Sequence, residues 1–234
     1  MLMLRNPHSV LAAMRARPGS VRSISVGASK PSEGWERVLR EAESSRTPLI
    51  QGHWEAAVRP CQPVSFGGLL LPNSGTEGGE FRVLLALDQV TDPQNMGGIF
   101  RSAAFFGVSG AVLLRDRQAP LSSVAYDVAT GGVEAVPYAE EVNLSRALRE
   151  ARDAGYWILG TSEHAMESKT IPLRQVALDR HWILVVGNEE KGLRQNTLDH
   201  CDVVTSVMGR GKIVTSLNVA SATTSVLSHL FMGG

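Results

Sequence analysis

Apolar and polar positions recur along this chain at two periods, and the switches between them mark its elements. Val21-Arg22-Ser23-Ile24-Ser25-Val26 alternates apolar and polar residues, the pattern of a half-buried strand. Pro31-Ser32-Glu33 then opens a helix in which Trp35, Val38, Leu39 and Ala42 recur at i, i+3, i+4 and i+7. A short helix is expected over residues 9–14 with Ser9 as its hydroxyl cap, and strands over 47–50 and 64–71. Together these elements make a small α+β module of about seventy residues, near the lower limit for an independent core.

Residues 72–80, Pro-Asn-Ser-Gly-Thr-Glu-Gly-Gly-Glu, carry no apolar side chain beyond Pro and read as a linker. Beyond it the pattern changes. Val83-Leu84-Leu85-Ala86-Leu87 is continuously apolar, as buried parallel strands are. Helical spacing follows over 95–106, then strands over 111–114 and 135–138 and an amphipathic helix over 144–154. Strands over 156–160, 182–187 and 203–207 and a closing helix over 216–230 complete the chain. This β-α-β-α rhythm predicts a parallel sheet covered on both faces. The expected division is therefore 1–71, a linker at 72–80, and 81–234.

Composition narrows the class. The 234 residues are 43% hydrophobic and 20% charged, enough apolar material for a core and no signature of disorder. No run of about 18 apolar residues predicts a membrane span. Pro7 arrives too early for a secretory apolar core, and the two cysteines, Cys61 and Cys201, lack Cys-x-x-Cys spacing. Reduced thiols in a cytoplasmic protein are the expectation. The six histidines are scattered without metal-ligand spacing, so no metal is expected.

Twenty-three Lys and Arg balance twenty-three Asp and Glu, which argues against holding a polyanion by bulk charge. The balance is uneven, however. Arg5, Arg15, Arg17, Arg22 and Lys30 occupy residues 1–30 with no acid among them, a possible phosphate-contact surface or simply a solvated face.

Ligands of α/β sheets gather beyond the carboxyl ends of strands, and three such ends are rich in Gly and polar residues here. In Asp88 to Arg101, Asn95 stands at a helix start and Gly97-Gly98 costs roughly 1 kcal/mol per Gly against Ala, which suggests close approach by a ligand or another backbone. Asn95 and Arg101, six residues apart, are expected to project from the first turns of one helix. Gly187-Asn188-Glu189-Glu190-Lys191-Gly192-Leu193 is a glycine-bounded acidic turn. Thr215-Ser216-Leu217-Asn218 opens the last helix with a hydroxyl cap and leaves Asn218 inside its first turn without a structural reason. Neither Gly-x-Gly-x-x-Gly nor a P-loop follows the first strand, and no Gly-x-Ser-x-Gly elbow occurs.

In this order and at these separations the three segments resemble the SpoU (TrmH) branch of the SPOUT RNA methyltransferases, which move a methyl group from S-adenosylmethionine to a ribose 2'-hydroxyl. Thr91 to Ala103 resembles the family's first motif, Gly187 to Leu193 its second and Ser216 to Ala220 its third. The resemblance covers about residues 82–234, and residues 1–71 resemble the small substrate-binding domain of the ribosomal-RNA members. It implies an α/β fold with a parallel sheet and a C-terminal deep trefoil knot, preceded by a small α+β (L7Ae-like) domain, and a homodimer with active sites at the subunit interface.

By position it implies Arg101, Asn95, Glu189, Ser216 and Asn218 as catalytic residues, and Thr161, Gly187, Val207, Met208 and Leu217 as the S-adenosylmethionine pocket. Arg5, Arg15, Arg17 and Arg22 are the expected RNA contacts. Two departures stand out: Ala220 replaces the family's usual Ser, and the loop before Ser216 is one residue longer. A guanidinium is always protonated, so Arg101 is expected to bind the target phosphate and stabilise the developing alkoxide; the base is then a neighbouring phosphate or water. The implied activity is 2'-O-methylation of a guanosine in large-subunit ribosomal RNA in the bacterial cytoplasm. A transfer-RNA methyltransferase, a silent RNA-binding protein and a mitochondrial location are the alternatives.

Overall fold

Two sheets carry the chain, and what separates them is the way their strands are connected. The computed structural model describes residues 1–70, 81–162, 170–207, 209, 213 and 216–233. The first sheet contains β1 (Leu2–Leu4), β2 (Val21–Val26), β3 (Leu49–Gln51) and β4 (Glu55–Val58) in the order β1-β4-β2-β3. Its β2–β3 pairing is parallel and the others antiparallel. Helices α1 (Pro7–Ala16) and α2 (Glu33–Ser45) belong to the same stretch, and α3 (Phe66–Leu70) follows it.

The second sheet is wholly parallel among the described residues. It contains β5 (Val83–Leu87), β6 (Gly110–Leu114), β7 (Tyr138–Glu141), β8 (Trp157–Thr161), β9 (Trp182–Val186) and β10 (Val203–Thr205) in the order β10-β8-β9-β5-β6-β7. Its helices are α4 (Pro93–Phe106), α5 (Ser123–Ala129), α6 (Gly132–Ala135), α7 (Leu144–Asp153), α8 (Gln195–Leu198) and α9 (Val219–Met232). Every residue of β5, β6 and β9 is buried, which accounts for their unbroken apolar runs. The strand order reverses between β5 and β9, so the loops leaving β5, β9 and β8 open side by side.

Several expected elements differ. The strand expected at 64–71 is reduced to one bridge, Val64 with Ala139, followed by α3. Helical spacing lets Phe66 and Leu69 bury together in the core beneath β6 and β7, and that burial overrides the weak helix propensity of Gly67-Gly68. The strand expected from residue 135 starts at Tyr138, because Ala135 ends α6 and Pro137 has no amide to donate. Asn6 caps α1 in place of Ser9, whose buried hydroxyl donates to the Tyr126 carbonyl at 2.7 Å. The linker expected at 72–80 lies outside the described residues.

Residues 1–70 do not keep a core to themselves. Leu4, Val10, Ile24 and Trp35 belong to the same buried cluster as Leu85, Ile99, Phe100 and Val133. Polar contacts close the junction. The Asp127 carboxylate accepts from the amides of Arg5 and Asn6 at 3.0 Å each. The Tyr126 hydroxyl accepts from the Cys61 amide at 2.7 Å, and Tyr138 donates to the Cys61 carbonyl at 2.9 Å. Burial keeps both phenols protonated, pushing Tyr138 up to about 12.

Arg17 is the centre of this junction. Its Nε and Nη2 meet the two Glu134 oxygens at 2.6 and 2.8 Å, and Nη2 also donates to the Arg59 carbonyl at 2.9 Å. The hydrogen bond to Glu134 raises the guanidinium pKa further. Glu134 is almost wholly buried, so removing it leaves a largely buried cation with carbonyl acceptors but no counter-charge. Glu134→Ala is expected to cost about 1.5–3 kcal/mol of stability, measured by urea unfolding, with Glu134→Gln in between. A loss within experimental error for Glu134→Ala would show that the pair does not hold the junction.

Candidate functional site

The loops leaving β5 and β9 and the approach to α9 meet around one carboxylate. Asp92 caps α4 by accepting from the Gln94 amide at 2.8 Å, and Pro93 takes the first helical position where no donor is needed. The amides just ahead of that helix are thereby left pointing outward. Glu189, arriving from β9, takes them: Asp92 N donates to Oε1 at 3.1 Å, and Thr91 N lies 3.2 Å from both oxygens. Thr91 Oγ1 (3.2 Å), Asn95 Nδ2 (3.0 Å) and Asn188 Nδ2 (3.2 Å) complete five donor groups.

That carboxylate fixes its neighbours in turn. Because Asn95 gives its Nδ2 to Glu189, its Oδ1 faces Asn218, whose Nδ2 donates to it at 2.7 Å. Asn218 then presents its own Oδ1 to the Ala220 amide at 2.9 Å and caps α9. Each amide orientation is dictated by the next partner, so the chain Glu189–Asn95–Asn218 has a single polarity. Here the expected cap at residues 215–216 is corrected: α9 begins at Val219, and Asn218 has the capping role that sequence alone could not give it.

The loop that delivers Glu189 is built tightly. Asn188 and Gly192 bond through both backbone groups, at 3.0 and 2.9 Å, while Asn188 Oδ1 accepts from the Glu190 and Lys191 amides. A Cβ on Gly187 would lie 2.4–2.6 Å from the backbone of Gly192 and Leu193, and Gly192 has φ +65°. Both glycines are required by geometry. Behind the loop, buried Asp88 accepts from Arg194 Nε and Thr197 Oγ1 at 2.7 Å each, tying the segment after the loop back to β5. Sequence reasoning missed this clamp; a lone acid ending an apolar strand was its only signal.

A cleft of about 420 Å³ lies on one side of this loop. Thr161, Gly187, Val207 and Leu217 line it as expected, together with Ser216, and Thr161 Oγ1 is anchored to the Val185 carbonyl at 3.1 Å. Met208 lies outside the described residues. Leu193, Thr205, Ser206 and Val219 also line the cleft and were not foreseen; each sits within a few residues of a recognised segment.

Arg101 is elsewhere. Six residues along an α-helix turn through 600°, so Arg101 points about 120° away from Asn95 and lies about 9 Å further along the axis. It lines a separate groove with Phe105, Phe106 and Thr224. Asn95 and Arg101 therefore share helix α4 as expected, but Arg101 lies beyond its first turns and opens on a different groove within one chain. Gly97 and Gly98 also find their reason in packing. A Cβ on Gly97 would meet the Ala125 carbonyl at 2.6 Å, and one on Gly98 would meet Ala220 Cβ at 3.0 Å.

The N-terminal cations divide. Arg22 is exposed and forms no ion pair among the described residues. Arg5 and Arg15 make exposed pairs with Glu55 and Glu41 at 3.2 Å, which are easily exchanged for another anion. Arg17, consumed by Glu134 and backbone carbonyls, is corrected from an RNA contact to a structural residue.

Burial pushes the Glu189 pKa up, but the bonds from Asn95 and from the amides of Glu189, Asp92 and Thr91 outweigh it, and the net shift is downward. Such a carboxylate is a poor base at neutral pH and a good positioning group. A depressed folded pKa contributes stability above the ordinary value of 4.5, lost as pH falls through the depressed one. The thermal midpoint should therefore fall on acidification below about pH 4.5, and Glu189→Gln should flatten that fall while lowering the neutral-pH midpoint. An unchanged pH profile in Glu189→Gln would count against this account.

Residues 82–228 match the model of the SpoU rRNA Methylase family. The 23S rRNA (guanosine-2'-O-)-methyltransferase RlmB of Nitrosomonas europaea is 32% identical over 224 residues, covering 91% of this chain and 84% of that protein. The protein of the same name from Bordetella pertussis is 32% identical over 231 residues, covering 92% and 90%. The SpoU methyltransferase AviRb from Streptomyces viridochromogenes, solved in complex with AdoMet, shares the fold. Its TM-score is 0.77 at 22% identity, with 99% of this chain and 89% of that chain covered. A chain that carries the three strand-end motifs on this sheet, and matches the model from β5 into α9, belongs to the SpoU rRNA methylase family.

Proposed function

We propose that this protein transfers the methyl group of S-adenosylmethionine to the 2'-hydroxyl of a guanosine in 23S ribosomal RNA. The observation that carries the reading is the Glu189–Asn95–Asn218 chain standing beside the 420 Å³ cleft. The names of the relatives supply the substrate class.

The cleft suits the cofactor. Its volume is in the range of small-molecule sites, with apolar walls from Leu193, Val207, Leu217 and Val219. When bound, S-adenosylmethionine supplies an activated methyl electrophile. The chain's own residues then have to position the ribose and exclude water. Asn95, held by Glu189 on one side and Asn218 on the other, presents its amide edge in one orientation. Ser216, exposed at the mouth of the cleft, offers a hydroxyl to the same ribose.

The cation for the phosphate and the developing alkoxide is Arg101, and we place it in the site of a second copy. One chain holds Arg101 and Asn95 on different faces of α4, whereas a symmetric dimer brings the first to the second. Phe105 on α4 and Met232 at the end of α9 are 75% and 63% exposed, which supports burial of this face against a partner. We also propose the trefoil knot of the family. Strand β10 lies at the sheet edge while α9 packs on α4, the helix that follows β5, which fits a chain that returns from the edge toward the middle of the sheet. The segment of residues 1–70 serves as the RNA-holding unit, with Arg22, Arg5 and Arg15 as its phosphate contacts.

Mapping 2'-O-methyl positions in ribosomal RNA from cells lacking the protein should reveal one guanosine of 23S rRNA that loses its mark. Loss from transfer RNA alone would move the substrate class, and loss from no RNA would overturn the reading. Co-expression of Arg101→Ala with Asn95→Ala chains should restore roughly a quarter of wild-type activity, because half the dimers are mixed and each carries one intact site. Activity no higher than either variant alone would place Arg101 outside a shared site.

A further inference from the structure

A second groove, of about 640 Å³, lies on the other side of the Glu189 loop from the cofactor cleft. The two share Asn188, Glu189, Glu190 and Lys191, so the loop is a partition between them. Asn95, the pivot of the hydrogen-bonded chain, faces the second groove and not the first. A nucleotide that presents its ribose to Asn95 while the cleft is filled must therefore approach along this groove.

Its rim is unusual in three respects. Arg117, from the loop between β6 and α5, and Lys191, from the loop after β9, are exposed and form no ion pair among the described residues. Of the carboxylates on the same groove, Glu189 is saturated by five donors and Asp92 is committed to capping α4. Glu190 alone faces an incoming anion without such a commitment. Secondly, Arg117 and Gln89 both line the groove with positive φ, at 58° and 66°. The two other non-glycine residues in that region, Arg46 and Thr130, are helix C-caps, whereas Gln89 and Arg117 sit in loops, the first with its carbonyl accepting from Asn188 Nδ2 at 2.9 Å. Thirdly, the carboxamide of Gln118, next to Arg117, is buried with neither its nitrogen nor its oxygen hydrogen-bonded among the described residues. Backbone bonds from Arg115 N to the Glu141 carbonyl (3.1 Å) and from Ala119 N to the Val90 carbonyl (2.8 Å) hold the loop so that the Arg117 guanidinium stands at the groove.

We propose that this groove receives the sugar–phosphate backbone at the methylated nucleotide, and that Arg117, with Lys191, binds the phosphates flanking the target ribose. Arg117 is a positioning residue: it fixes where the ribose stops and takes no part in bond change. The proposal rests on the reading of the chain as an RNA ribose methyltransferase; that reading gives the target phosphate to Arg101 of a second copy, and this one adds the contacts to the flanking phosphates within one chain.

The test uses the full-length protein and an in vitro transcribed 23S rRNA, with binding measured over a series of salt concentrations. Arg117→Ala should weaken binding roughly tenfold or more and reduce the magnitude of the salt slope by about one. Its affinity for S-adenosylmethionine, measured by calorimetry without RNA, should match wild type. Arg117→Lys should keep the slope and lose part of the affinity, since a point charge replaces the fork. Arg117→Gly, which relieves the backbone, should bind RNA as poorly as Arg117→Ala. Lys191→Ala, on the separate loop, should show its own loss of slope, which covers the case in which Arg117 variants fold poorly.

Wild-type affinity and slope in both Arg117→Ala and Lys191→Ala would overturn the proposal, as would wild-type binding by Arg117→Gly. A loss of affinity with the slope unchanged would replace phosphate binding by base stacking and overturn it too. Wild-type protein that binds the transcript with the expected Arg117 dependence, yet methylates no ribose, would sink the methyltransferase reading and leave the groove assignment standing.

Discussion

The site hangs on the way one anion satisfies donors from three directions. Glu189 collects two amides ahead of α4, the Thr91 hydroxyl and the carboxamides of Asn95 and Asn188, and so ties the β9 loop to the α4 terminus. A neutral group in its place has fewer lone pairs to offer and no attraction to the positive end of the helix. Remove that charge and Asn95 loses its reason for a single orientation; Asn218, which reads Asn95, then loses its own, and with it the start of α9. Binding surface on both sides of the loop depends on the same few bonds.

A carboxylate so engaged has no spare basicity, which bears on how the chemistry is divided. General-base catalysis works best with a pKa near the operating pH. Glu189 is shifted the other way and Arg101 is permanently charged, so neither is suited to take the proton. What the geometry gives Glu189 is a positioning role, with its donors holding the carboxylate in the charged form.

Much of this was legible in sequence, and the limits have a common cause. Continuous apolar runs at β5 and β9, and the Gly-rich polar segments that follow them, locate the sheet and the site because both signals are local. Asn218 looked unexplained within its helix because its partner, Asn95, is 123 residues away. Arg17 looked like a surface cation because Glu134 is 117 residues away. Arg101 differs in kind: the sequence puts it on the same helix as Asn95, and a spacing of six then turns it to another face. The apolar residues of α3 suit strand or helix alike, and only packing in the core beneath β6 and β7 decides.

The shared core between the first seventy residues and the α4–α6 face has a mechanical meaning. Helix α1 carries Arg15 on its outer side, while its inner residues Val10, Ala13 and Met14 are packed into the cluster that also holds Phe100 and Val133. An arm joined by linker alone would let its cations search a wide volume. An arm packed into the same core as the sheet instead keeps Arg15 and Arg22 at a fixed separation from Asn95, a spacing set by packing and not by linker length.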